Sequence, residues 1–235
     1  GNTIWRSSNP NDGSSYQSIT GFTNNGRAAI AWAESDDNYC YIVTVGTVQF
    51  DGQTYGGGSL TGLYRSTDAG QTFTQEVGQM SQFFAPFTYI GLQAQGLYDI
   101  ALGVHPRNKD RVFIGGILFA EWSLQDGPKI VGNTFNSPRN PYGIHSDKHL
   151  ITFDNTGEDP IMYICSDGGV ARTTTPELDQ YKNISTNLST TQFFGIAADV
   201  RGRILGGTQD NNTLLITGES YPRKIAESVI GGDGF

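Results

Sequence analysis

The sequence predicts an all-β protein built from repeated units of short antiparallel strands. Three observations carry that expectation. Short apolar runs are cut throughout by Gly, Asn and Asp, and 31 of the 235 residues are glycine with no three-residue period. Helical periodicity is confined to Thr175–Tyr181, where Thr175 is placed to cap and Pro176 to open one or two turns. Third, one strand–turn–strand pattern recurs along the chain.

The first copy runs Ala28-Ala29-Ile30-Ala31-Trp32, a polar turn, then Tyr39 to Val45. The second is Ile100 to Val104, the turn His105–Asp110, then Arg111 to Ile114. The third is His149 to Phe153, the turn Asp154–Pro160, then Ile161 to Cys165. The fourth is Gly195 to Asp199, a short turn, then Arg203 to Gly206. Anchors at Tyr41, Phe113, Tyr163 and Ile204 stand 72, 50 and 41 residues apart. Repeats of about 40–50 residues are the size of four-stranded propeller blades. The longer first interval implies an insertion near 79–96, rich in Phe, Gln and Gly. The expected architecture is therefore a β-propeller of four-stranded antiparallel blades. About four to five blades are present in 1–235, read as one propeller domain or as a fragment of a six- to eight-bladed ring. Val229-Ile230-Gly231-Gly232 reads as the start of a further inner strand.

A second pattern marks the outer half of each repeat: an apolar pair, Arg, then Ser or Thr. It appears at Trp5-Arg6-Ser7, Tyr64-Arg65-Ser66 and Ala171-Arg172-Thr173, with a decayed copy expected near Phe119–Trp122. After Arg65 comes Ser66-Thr67-Asp68-Ala69-Gly70-Gln71-Thr72-Phe73. Ser66 and Asp68 are placed to accept from backbone N–H groups of a hairpin turn, Gly70 to take positive φ, and Phe73 to pack between sheets. A degenerate copy starts at Asn9.

This Ser-x-Asp-x-Gly-x-Thr-Phe run resembles the Asp-box, or BNR-repeat, of a β-propeller superfamily. With Ser166-Asp167-Gly168-Gly169, Gly206-Gly207-Thr208-Gln209-Asp210, His145-Ser146-Asp147-Lys148-His149 and Gly231-Gly232-Asp233-Gly234-Phe235, the chain is similar to its sortilin-like and xyloglucanase-like branch. That resemblance implies a secreted bacterial protein. Its structural residues would be Ser66, Asp68, Gly70, Thr72 and Phe73. It also implies two aspartates for glycoside hydrolysis, one as acid and one as base or nucleophile. Asp233, in Gly-Asp-Gly-Phe, is similar to the acid-bearing motif. Asp167 is the nearest match to the base, but its Asp-Gly-Gly spacing departs from the pattern. A hairpin turn is the simpler reading of Asp167.

Other candidates come from the residues themselves. His145, Asp147 and His149 alternate at period two, so a strand would align them on one face as ligand-binding groups or weak divalent-metal candidates. Gln209 and Asp210 follow a Gly-rich strand end, a place where ligands approach backbone. Trp122 and Phe83-Phe84-Ala85-Pro86-Phe87 are the expected exposed aromatics, whereas Trp5 and Trp32 are expected in the core. Arg6, Arg65 and Arg172 belong to the repeat, which argues against a sialidase arginine cluster.

Composition sets the remaining bounds. The net charge of −8 argues against a nucleic-acid partner. No run of about 18 apolar residues predicts membrane insertion, and the first residues do not read as a signal peptide. No cofactor motif is present. Cys40 and Cys165 are expected to be free thiols. The expected function is a binding or scaffold module at the cell surface or outside the cell. Its partner would be a glycan, an extracellular protein or the rest of a longer chain. The alternative is a xyloglucanase-type hydrolase.

Overall fold

The computed structural model describes residues 3–22, 26–88, 94–132, 143–175, 180–185, 191–209, 212–217, 225–232 and 234. Among the described residues eighteen strands are formed, and the helical content is one 3-10 turn, Gly13–Ser15. The expected helix at Thr175–Tyr181 falls largely outside the described residues, as do Asp210 and Asp233.

Four sheets have four strands each and one has two. β1 (Ile4–Ser7) and β2 (Tyr16–Ile19) form the two-stranded sheet. The first full sheet is β3 (Arg27–Trp32), β4 (Cys40–Phe50), β5 (Gln53–Ser66) and β6 (Thr74–Val77). The second is β7 (Ala101–His105), β8 (Asn108–Gly115), β9 (Phe119–Ser123) and β10 (Gly127–Gly132). The third is β11 (Lys148–Asp154), β12 (Ile161–Ser166), β13 (Gly169–Thr173) and β14 (Lys182–Asn183). The fourth is β15 (Phe193–Ala198), β16 (Ile204–Thr208), β17 (Thr213–Thr217) and β18 (Ile225–Ile230). Each is an up-and-down meander in chain order. The four strand pairs legible in the sequence are the first two strands of these four sheets. One reading is corrected: Val229 and Ile230 end β18, which pairs with β17 as the fourth strand of its own sheet.

Contacts divide the chain into two units, residues 1–166 with 170–183, and residues 167–169 with 184–235. In the first, the inner strand β7 lies against β3 on one side and β11 on the other. Consecutive meanders set side by side by their first strands are propeller blades. The second unit holds one sheet of the same design.

The middle blade shows how the packing works. Strand alternation sends Val112 and Ile114 of β8 into one core, with Tyr41, Val43, Leu63, Leu102 and Trp122. It sends Phe113 into the other, with Phe119, Ile151, Met162, Ile164 and Tyr181. A blade covered on both faces therefore reads as an unbroken apolar run, Val112-Phe113-Ile114, rather than an alternating one. Each such side chain, fully buried, stabilises the fold by about 1.5–3 kcal/mol.

The two corrections among tryptophans follow from the same alternation. Trp122 points with Ala120 into the first core, 3% exposed, its ring 5.8 Å from that of Tyr41. It is not an exposed ligand platform. Trp5 and Trp32 are the exposed ones, at 58% and 54%. In the insertion Phe83 is exposed as expected, but Phe84 and Phe87 are buried.

β1 and the third strands of the four full sheets end on a hydroxyl: Ser7, Ser66, Ser123, Thr173 and Thr217. In β1, β5, β9 and β13 that hydroxyl accepts from the next turn, from the N–H of Asn9, Asp68, Asp126 and Thr175 respectively. The turn after β5 is the most complete. Ser66 Oγ donates to Asp68 Oδ1 (2.7 Å) and accepts from Gly70 N (2.8 Å). Asp68 accepts from the backbone of Gln71 and Thr72 and from Thr72 Oγ1 (2.6 Å). Gly70 has φ +76°, with Trp32 and Arg6 against it. Phe73 packs edge-on to Phe22 at 5.1 Å. These hydrogen bonds, Thr72 first, hold the Asp68 carboxyl down at about 2.

Asp68→Ala is expected to lower Tm at neutral pH. Ionised Asp68 stabilises the fold above its ordinary value near 3.8, and that contribution is lost as pH falls through about 2. Thermal melts from pH 7 to pH 2 should therefore show the deficit of the variant shrinking at the acid end. A deficit unchanged at pH 2 would show that the carboxylate is not what closes the turn.

Candidate functional site

Two elaborations rise from one end of the blades in the first unit, the end at which β7 and β11 begin. The β4–β5 hairpin extends well beyond its blade and turns at Asp51-Gly52, both with positive φ as a type I′ turn requires. Residues 78–88 and 94–99 fold against it. Gly96 N and Leu97 N donate to Gly58 O and Gly57 O (3.1 and 2.9 Å), and Met80 N donates to Leu60 O (2.9 Å). Ser59 Oγ bonds Thr88 Oγ1 at 3.0 Å. A Cβ on Gly58, at φ +100°, would stand 2.3 Å from Leu97 N, so glycine sets how closely the two pieces approach.

The β8–β9 turn is where this end is tied together. Leu118 N donates to Pro86 O (2.9 Å) from the insertion side. From the third blade, Lys148 N donates to Gly116 O (3.2 Å) and Lys148 Nζ to Ile117 O (2.7 Å). Lys148 is fully buried. Burial lowers its ammonium to about 7, against the pull of Asp147 and Asp99.

Asp99, just before β7, is also fully buried. Neither of its oxygens accepts from a donor among the described residues. The group it faces is the carboxyl of Asp147, to which it can bond only when one of the two carries a proton. Burial first, then the Asp147 charge, raises Asp99 to about 8; the Lys148 charge opposes this more weakly. Asp147 itself adopts φ +61°, a left-handed conformation uncommon outside glycine.

This geometry corrects the expected His145–Asp147–His149 row. β11 begins at Lys148, so the first two residues precede the strand and do not alternate along it. His145 Nδ1 lies 3.0 Å from Ser146 O. His149 is exposed, its ring 5.0 Å from Tyr98 and edge-on. Among the described residues no group of three His, Cys, Asp or Glu could hold a metal ion. Asp99 was missed because a lone Asp before an apolar strand carries no signal of burial; Lys148 was masked by the histidines beside it.

The other candidates stand apart. Asp167 and Gly168 form the turn between β12 and β13. In the second unit, Gln209 N donates to Gln192 O (3.0 Å), while Gly234 N donates to Thr208 O (2.9 Å). Both cysteines are free, Cys40 buried and Cys165 half-buried.

No family model matches the chain, and no curated protein matches it. Among solved structures it is similar to a GH74 enzyme of Niastella koreensis, at 16% identity and TM-score 0.46, covering 84% of this chain and 29% of that one. It is also similar to YCF48 bound to D1 peptide, at 11% identity and TM-score 0.43, covering 88% of this chain and 56% of that one. The chain thus spans less than two thirds of either.

Asp99→Asn tests the buried carboxyl. Because Asp99 is raised from 3.8 to about 8, the stability tied to its proton is full below 3.8 and lost as pH rises through about 8. Asn keeps the shape and a donor without the charge. The variant should melt above the wild type at pH 9, by about 2–4 °C for each kcal/mol of repulsion relieved. The gap should close toward pH 4. Equal melting temperatures at pH 9 would refute a raised Asp99.

Proposed function

We propose that the chain is a binding propeller of Asp-box type, secreted or displayed at the cell surface. In this reading the elaborated end of its first three blades is presented to a glycan or an extracellular protein. The observation that carries it is the extra chain at that end. The corresponding β12–β13 hairpin of the third blade closes in the two-residue turn Asp167-Gly168, so the long β4–β5 hairpin is not demanded by blade packing. The hairpin and the chain folded against it expose Phe83 (87%), Leu97 (50%) and Tyr98 (47%) beside exposed His149. Arg27 Nη1 fixes the Leu97–Tyr98 backbone, at 3.3 and 2.7 Å from the two carbonyls. Rigid aromatic side chains above a hydrogen-bonded base suit recognition of a sugar face or an apolar side chain.

Hydrolysis is the weaker reading. It needs a proton-donating carboxyl in contact with the glycosidic oxygen. The carboxyl raised most at this end, Asp99, is sealed from solvent, and the family-like acid, Asp233, lies outside the described residues.

Glycan arrays and pull-downs with the folded protein test the proposal. Phe83→Ser and Tyr98→Ser should each weaken capture by about tenfold or more while leaving Tm unchanged. β-Glucan hydrolysis abolished by Asp233→Ala would overturn the binding reading. So would capture that both serine variants retain in full.

A further inference from the structure

The opposite end of the second blade carries a charged cluster that the repeat does not explain. Arg111 (β8) donates through Nε to Glu121 Oε1 (2.7 Å) and through Nη2 to Oε2 (3.3 Å). Lys129 Nζ (β10) lies 3.6 Å from Glu121 and 3.9 Å from Asp126. The Glu121 side chain is 3% exposed.

The other blades supply a control. Arg111 pairs with Ser123 as Cys40 pairs with Ser66. Glu121 pairs with Lys129 as Tyr64 pairs with Gln75 and Ala171 with Asn183. At the Glu121 position the remaining full sheet carries Leu215, paired with Glu227. One ladder position is thus filled by Tyr, Ala, Leu or Glu, so blade packing does not call for an acid there. A buried ion pair is often no more stabilising than apolar residues of similar volume. The ladder therefore does not require this cluster.

A depression of about 550 Å³ lies directly on it, walled by these residues with Asn108, Gln125 and Leu124. That volume is in the range of small-molecule sites. Among the lining residues three carboxylates, Asp110, Glu121 and Asp126, stand with two cations, Arg111 and Lys129, and Asp110 also lies 4.0 Å from Arg65 Nη1 of the first blade, so the acids and cations balance and neither ion type is favoured. Lys129 stands beyond hydrogen-bond distance of both acids among the described residues and keeps its donors. The Asp126 side chain is 55% exposed and keeps accepting capacity. Leu124, 55% exposed, offers an apolar edge. Interleaved donors and acceptors without a dominant charge match hydroxyl groups, each of which donates and accepts.

We propose that this pocket binds a neutral saccharide, independently of the blade end where the insertion lies. The test is an NMR titration of the folded protein with cellobiose, maltose and lactose as probes. At least one should give saturable shifts at the Asn108 and Gln125 side-chain amides and at Leu124. Lys129→Gln should weaken that binding by about tenfold. The triple variant Arg111→Cys, Glu121→Tyr, Lys129→Gln copies the first blade and should abolish it, with Tm equal to or above the wild type. The proposal fails if no probe gives saturable shifts or if the triple variant binds as the wild type does. It fails equally if Tm of the triple variant collapses, since the cluster would then be structural. Phe83→Ser and Tyr98→Ser should leave these shifts unchanged, which separates this site from the insertion end.

Discussion

A blade in this protein has two apolar faces, and each has to be covered by another sheet. That requirement organises the first unit. The central strand of the middle blade sends alternate side chains into two cores, so the blades to either side are fixed by residues one position apart in sequence. Val112 and Phe113 are chain neighbours, yet they belong to different cores. Replacing either changes a different junction, and the chain can tune one interface without touching the next.

Polar groups are admitted to these junctions only with strict conditions. Tyr41 spends its hydroxyl on Lys109 O at 2.6 Å, joining the first blade to the second. Lys148 spends its ammonium on Ile117 O and joins the third blade to the second. Asp99 has no such donor among the described residues, and its carboxyl stands against another carboxyl. The protonation state of that pair is thereby coupled to how the β7 and β11 starts sit together, while the exposed rings of Tyr98 and His149 close over the surface above.

Much of the blade architecture was legible in the sequence, because it rests on local patterns. Paired apolar runs gave the first two strands of every full sheet, and the Arg-Ser motif gave the third strands of the first three, including the decayed copy that became β9 (Phe119–Ser123), but not β17. The length of the β4–β5 hairpin was not legible. Gly56-Gly57-Gly58 reads as a break, whereas the strand runs through it to let the insertion approach. The candidate sites were less legible still. A histidine row at period two looks like a shared face only if a strand begins early enough, and β11 begins too late. The Arg111–Glu121–Lys129 cluster is spread over three strands and comes together only through register.

In the first three full sheets the hydroxyl that ends the third strand closes on backbone two or three residues away. Each of these outer hairpins therefore carries its own terminator. A stretch of coding sequence that specifies one blade can be copied, moved or spliced beside another without redesigning the corner. Extra chain, such as residues 78–99, enters at the opposite end, where the links between blades lie. The capacity of the fold to acquire new surfaces and its capacity to multiply are thus assigned to different ends of the same sheet.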